Sequence, residues 1–209
     1  MTESDVRREY SALRAQTLVP LSERIELHLR RTLEGVSRID RITARAKGVE
    51  RFLEKALRRE EDGRPKYSDP MQQIQDQIGA RVVVFYLSDV RAVASVVEEH
   101  FRTIEARDLI PESESEFGYF GKHFVCLMPT DVFDAQIAEG AGPNFFELQI
   151  KTLFQHAWSE AGHDLAYKPL SEVSSLQKRK VAFTAAQAWG ADTIFDELHR
   201  ELSGDTHDS

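Results

Sequence analysis

Apolar positions along the chain first recur at helical spacing. Leu21, Ile25, Leu29 and Leu33 lie four apart behind Pro20, which predicts a helix capped at Ser22 and stopped near Gly35. The period then changes to two. From Arg41 to Lys47 polar and apolar residues alternate, predicting a half-buried strand with Arg41, Thr43, Arg45 and Lys47 on its open face. Phe52, Leu53, Ala56 and Leu57 return to helical spacing, with a stop near Asp62-Gly63-Arg64-Pro65. The continuous run from Val82 to Leu87 predicts a strand buried on both faces, with Asp76 at its entrance. A helix from Asp89 to His100 follows, then strand-like segments at Phe101 to Arg107 and Tyr119 to Met128. The turn Gly140-Ala141-Gly142-Pro143 leads into Phe145 to Thr152, where alternation puts Glu147, Gln149 and Lys151 on one face and Phe146, Leu148 and Ile150 on the other. Two helices close the chain. The first has Leu153, Phe154, Ala157, Trp158, Ala161 and Leu165 on one face; the second, roughly Glu172 to Leu202, ends with Ile194, Phe195, Leu198 and Leu202 in register.

Helices and strands are interspersed without strict βαβ alternation, so the expected class is α+β, a mixed sheet of about five strands flanked by helices, with helical segments at both ends. The 209 residues suffice for one domain with one core: N-terminal helices over 1–37, a core over 38–168, and a C-terminal helix with an acidic tail over 169–209. Neither a dinucleotide Gly fingerprint nor a Walker P-loop occurs.

The formal net charge of -8 argues against bulk electrostatic capture of DNA or membrane. It is unevenly spread. Basic residues outnumber acidic ones between Arg24 and Lys66, where a nucleotide phosphate would find its counter-charge. The single cysteine, Cys126, lies in an apolar run and reads as a buried small hydrophobe, so no disulfide can form within the chain. No run approaches the ~18 apolar residues of a membrane span and the N-terminus has no apolar signal core, so the expected location is cytoplasmic.

Asp76 and Glu147 stand at the edges of strand-like runs beside basic and aromatic side chains. Carboxylates on neighbouring strands suit Mg²⁺, a hard cation usually held by one or two carboxylates together with substrate phosphates. From spacing alone, a solvated strand-end acid or an Arg partner fits as well.

Four motifs occur in order: Arg45-Ala46-Lys47 with Lys55 eight residues on, Asp76-x-x-Gly79-x-Arg81, Gly118-Tyr119-x-x-x-His123, and Glu147-x-Gln149-x-Lys151-Thr152. Together with Gln155-His156-Ala157-Trp158 and His163 to Lys168, the set resembles the synthetase domain of the RelA/SpoT family, in a small stand-alone form. The resemblance implies a nucleotidyltransferase-like fold that moves the β,γ-pyrophosphate of ATP to the 3′-hydroxyl of GDP or GTP, making the alarmones ppGpp and pppGpp. By the same resemblance, Asp76 holds Mg²⁺ on the ATP phosphates and Glu147 assists the metal or draws the proton from the attacking hydroxyl. Arg45 and Arg81 sandwich the adenine, while Lys47 and Lys55 neutralise the triphosphate. Tyr119 stacks on the acceptor guanine, and Lys122, His123, Gln149 and Lys151 line the acceptor side. His163 and Asp164, although similar to a metal pair of the family's hydrolase domain, are assigned to packing or hydrogen bonding, and a zinc face of His156, Glu160 and His163 is set aside.

The chain departs from the family pattern in three places. The acceptor segment, Lys-Pro-Asn-Gly-Tyr-Arg-Ser-Leu-His in long members, is here Glu114 to His123 with acidic residues before Gly118-Tyr119-Phe120-Gly121-Lys122. Lys151 stands where Arg is common, and Arg51 where Ser is usual. Two other readings accompany synthesis of the alarmone: a toxin that pyrophosphorylates the 3′ end of tRNA, and an inert nucleotide-binding regulatory module. Expected partners are ATP and GDP or GTP, with further copies of the chain in a homo-tetramer, or an antitoxin, as additional candidates.

Overall fold

The computed structural model describes residues 2–108, 118–119, 121–134, 137, 140–167 and 174–204. Half of the departure segment, residues 114–117 and Phe120, lies outside these, as does Lys168. The N-terminal helices are α1 (Glu3–Leu13), a π-helical turn at Arg14–Leu18, and α2 (Val19–Thr32). Only Val6 and Tyr10 of α1 are buried, so its apolar stripe is thin, but a capping box of Thr2 and Asp5 fixes its start. Leu21, Ile25 and Leu29 form the buried face of α2, as their spacing predicted. Ser22 is not its cap. Because the helix runs on from the π turn, Ser22 sits inside it and its hydroxyl donates to the Val19 carbonyl at 2.7 Å.

Five strands follow: β1 (Ile39–Ala46), β2 (Ile78–Val84), β3 (Thr103–Asp108), β4 (Lys122–Leu127) and β5 (Phe145–Thr152). They form one mixed sheet in the order β1-β2-β5-β4-β3. The central pair β2 and β5 is parallel and the other neighbours are antiparallel. The expected α+β architecture is therefore present. On one face Ile42, Ile78, Ala80, Val82, Phe124, Phe146, Leu148 and Ile150 join the main core, which also takes in Leu21, Ile25, Leu29, Val93 and Val97 from α2 and α5 (Leu87–His100). Cys126 belongs to this core and is free.

The strand at β2 is buried on both faces only from Val82 to Val84; nearer its start Gly79 and Arg81 are half-buried, leaving a polar opening. The helix α3 (Val49–Ala56) stops well before Asp62-Gly63, since Leu57 is already its C-cap and Gly63 makes a later turn at φ 82°. A short helix, α4 (Pro70–Gln73), capped by Asp69, precedes Asp76. Tyr119 precedes β4 rather than opening it.

The closing helices are α6 (Leu153–Tyr167) and α7 (Ser175–Ser203), the latter begun by a Ser174 and Gln177 capping box. Their apolar residues are not all spent on the core. Leu165, Phe183, Ile194, Leu198 and Leu202 are all exposed, whereas Ala185, Asp192 and Asp196 are the buried positions of α7. His163 and Asp164 are likewise exposed on the last turns of α6, which leaves hydrogen bonding, rather than packing, of the two roles expected from the sequence. No helix among the described residues is long and apolar enough to cross a membrane.

Candidate active site

The sheet register assembles the candidate residues. Opposite Gly79 of β2 stand Arg45 of β1 and Glu147 of β5, and opposite Arg81 stand Thr43 and Gln149. Gln149 in turn faces His123 of β4. Because side chains alternate across a strand, Arg45, Arg81, Glu147, Gln149 and His123 emerge on the same face, away from the main core. Gly79 lies between Arg45 and Glu147, and a Cβ added there would meet nothing within 4 Å, so the floor of the site is open at that point.

Asp76, in the turn before β2, is held between two ammonium groups. Lys55 Nζ donates to Oδ1 at 2.9 Å and Lys47 Nζ donates to Oδ2. Burial pushes this carboxyl up, but the two lysines outweigh it and hold it below the ordinary aspartate range. Glu147 is the second carboxylate. His123 Nδ1 lies 2.9 Å from its Oε1, and Gln149 Nε2 donates to the same atom at 3.2 Å. The His123 hydrogen bond is the chief reason that Glu147 is held low; burial and the charge of Asp76 both push the other way. That repulsion between two carboxylates is what a divalent cation would relieve. Their all-oxygen donor set fits a hard ion such as Mg²⁺. His123 Nε2 is buried without a partner among the described residues.

Arg81 makes the most contacts of the candidate arginines. Its Nη1 donates to Glu160 at 2.6 Å and lies 3.1 Å from His156 Nδ1, while Nη2 donates to Gln149 at 3.2 Å. His156 and Glu160, one turn apart on α6, are thereby engaged with a guanidinium. Burial lowers the basicity of His156, and the charge of Arg81 lowers it further. Arg45 lies close enough to help hold Glu160 in its charged form, so both arginines share one neighbourhood. Lys151, at the closed end of β5, is 3% exposed and donates to Ser159 of α6 at 2.9 Å. Burial, then the charge of Arg81, pushes its ammonium down to about 8.

Two expected acceptor residues stand apart from this cluster. Lys122 alternates onto the opposite face, where it reaches Glu98 of α5 at 3.3 Å and lies over the Phe124 ring. Tyr119 is buried, and its hydroxyl donates to Asp192 of α7 at 2.5 Å. Asp192 also accepts from the Thr152 hydroxyl, and burial pushes its carboxyl up. Between these two residues the backbone comes unusually near the sheet: a Cβ on Gly121 would lie 2.1 Å from the Ile150 carbonyl oxygen.

The residues that sequence reasoning missed in this region are Ser159 and Asp192. Glu160 shares a helical face with His156 in the sequence, but nothing in the i, i+4 spacing says that their common target is an arginine on a distant strand. Asp192 sits in a helix whose sequence shows only amphipathicity.

The profile described as "Region found in RelA / SpoT proteins" matches residues 44–172. The chain belongs to the RelA/SpoT family. Its relatives in that family include the GTP pyrophosphokinase YjbM of Bacillus subtilis (strain 168), 28% identical over 207 residues, covering 92% of this chain and 89% of the relative. A GTP pyrophosphokinase family protein from Streptococcus pneumoniae superposes with a TM-score of 0.73 at 25% identity, covering 95% of each chain. The Bacillus subtilis small alarmone synthetase 1 bound to its product pppGpp superposes with a TM-score of 0.71 at 24% identity, over 94% of this chain and 97% of that one. The last likeness concerns the fold alone. The matched region of this RelA/SpoT protein contains every strand of the sheet except the first residues of β1, and both carboxylates of the candidate site.

Proposed function

We propose that this protein is a pyrophosphokinase that transfers the β,γ-pyrophosphate of ATP to the 3′-hydroxyl of GDP or GTP, making an alarmone. Its RelA/SpoT membership and its pyrophosphokinase relative support the reaction class. The observation that carries the reading is the placement of Asp76, clamped by Lys47 and Lys55 in the turn before β2, near enough to Glu147 on the neighbouring parallel strand β5 for its charge to act on that carboxylate.

Phosphoryl transfer calls for positioning and charge neutralisation more than for covalent chemistry by the protein. Lys47 and Lys55 carry two positive charges on one short stretch, where they would turn from Asp76 toward the donor phosphates. Asp76 and Glu147 would hold Mg²⁺, which supplies charge neutralisation on the phosphate oxygens. The acceptor 3′-oxygen forms its bond to the β-phosphorus as the bond from that phosphorus to the α,β-bridging oxygen breaks, and AMP departs with that oxygen. The hydroxyl proton passes to Glu147, which its lowered pKa keeps ionised, as bonding to phosphorus makes that hydroxyl more acidic. Arg45 and Arg81 offer flat guanidinium faces for the adenine. Gln149 and Lys151 complete the strand that separates donor from acceptor.

The reading is tested by incubating the protein with γ-³²P-ATP and Mg²⁺, offering GDP, GTP and deacylated tRNA in parallel. Label on a guanine nucleotide is the expected result. Label on tRNA alone would redirect the assignment to a translation-blocking enzyme, and label on none would leave a binding module.

Lys151 gives the reaction a pH signature. Its ammonium is charged below about 8 and neutral above, so a step that uses the charge declines as pH rises through that value. In Lys151→Arg the guanidinium stays charged, and the alkaline decline in the pH–rate profile should move up or vanish. An unchanged profile would show that the decline belongs to another group.

The exposed apolar residues of α7 also belong to this proposal, as a surface on which copies of the chain pack together. Light scattering is expected to give a mass above that of a monomer, and Leu198→Glu to lower it; a monomeric wild type would remove the idea.

A further inference from the structure

The donor-side lysines are not held by the matched region alone. Lys47 follows the last residue of β1, and its backbone NH donates to the Gln77 carbonyl at 2.8 Å. Its own carbonyl accepts twice from the N-terminal helices: from the Tyr10 hydroxyl at 3.0 Å and from Arg14 Nε at 3.1 Å. Two donors aimed at one carbonyl fix the orientation of that peptide, and with it the direction in which the Lys47 side chain leaves the strand. Tyr10 also reaches the helix that carries Lys55. Its fully buried ring stacks on Phe52 of α3 at a centroid distance of 3.7 Å and an interplanar angle of 3°. A second tie between the same helices runs from Arg7 to Glu50, whose Oε2 accepts at 3.0 Å.

We infer that α1 and the turn after it are part of the donor site, with Tyr10 and Arg14 as positioning residues that set Lys47 and Lys55 for the phosphates of the donor nucleotide. The burial of Tyr10 fits this role. Its hydroxyl is kept protonated, because burial pushes its pKa up far more than the neighbouring charge of Arg14 lowers it, so it remains a donor to the Lys47 carbonyl. Neither residue touches the reacting atoms; both act through the backbone and through Phe52. Packing alone would have been served by Phe at position 10 and by any long side chain at position 14. The convergence of two hydrogen-bond donors on the carbonyl of a site lysine is the feature that packing leaves unexplained.

This inference rests on the donor-nucleotide reading given above, and the experiment separates the two. Binding of a non-hydrolysable ATP analogue with Mg²⁺ is measured by calorimetry for wild type, Tyr10→Phe and Arg14→Met, together with steady-state KM for ATP and for GDP. Tyr10→Phe keeps the ring stack and loses one hydrogen bond, so the analogue should bind about 3- to 10-fold more weakly, with the KM for ATP rising in step and the KM for GDP unchanged. Arg14→Met, at a more exposed position, should act in the same direction and supplies the answer if Tyr10→Phe fails to fold. Unchanged analogue binding in folded variants overturns the positioning role alone. So does an equal loss for both substrates, which is the mark of general loosening. A wild-type protein that does not bind the analogue overturns the donor-site reading, and this inference with it.

Discussion

Asp76→Asn is expected to leave a folded protein whose transfer of pyrophosphate falls by at least two to three orders of magnitude, on the order expected when one charged group is removed from a preorganised transition-state site. The substitution keeps the shape of the side chain and removes the charge that sits between Lys47 and Lys55. Glu147→Gln should lose a comparable amount, since it removes the proton acceptor and the second negative charge together. Circular dichroism and single-turnover assays on the two variants distinguish lost chemistry from lost fold. A variant with near-normal turnover would displace that residue from the site. Because the native Asp76 is held below the ordinary aspartate range, its ionised form also stabilises the fold. That contribution is present above about pH 4, the unfolded value, and is lost as pH falls through the folded one.

Gly121→Ala is expected to be the most damaging small substitution outside the two carboxylates. The new methyl would have to occupy space 2.1 Å from the Ile150 carbonyl oxygen and 2.6 Å from Lys151 Cγ, and the backbone carbonyl cannot rotate away without breaking its ladder. Overpacking of this kind costs roughly 1–3 kcal/mol, which for a chain of this length lowers Tm by about 2–12 °C. A thermal melt measures it directly. The strand start would also move away from β5, so the loss of GDP use should exceed the loss of ATP binding. A melt unchanged within a degree would mean that the segment shifts freely and that its close approach has no structural role.

Much of this arrangement can be read in the sequence, and the part that cannot has a physical cause. Period-two alternation in Arg41 to Lys47 and in Phe145 to Thr152 reports directly on which side chains share a face, because a strand has only two faces. The open faces of β1 and β5 follow from it. The run from Val82 to Leu87 carries no such alternation, so it reads as uniformly buried although the strand ends at Val84, Phe85 is exposed and Leu87 already opens α5. The first helix escapes the apolar pattern because only Val6 and Tyr10 turn inward, and its clearest sign is the polar pair Thr2 and Asp5. Lys122 follows from the register: one residue from His123, it must lie on the other face, which a motif read as a string does not encode. The seats of Tyr119 and Glu160 depend on contacts with Asp192 and Arg81, across elements far apart in the chain, and no local period records a contact of that kind.

The parallel pairing of β2 with β5 also bears on how the protein reaches its working state. These strands are separated in sequence by α5, β3 and β4, yet Gly79 and Glu147 are direct neighbours. Loop-closure entropy makes such a non-local pairing slow to form, and it is rewarded only after the intervening elements have been brought to one side. Asp76 and Glu147 therefore come together in the same event that closes the centre of the sheet. Chains arrested before that event hold at most one of the two carboxylates in place, so recovery of activity during refolding should coincide with the slowest structural phase.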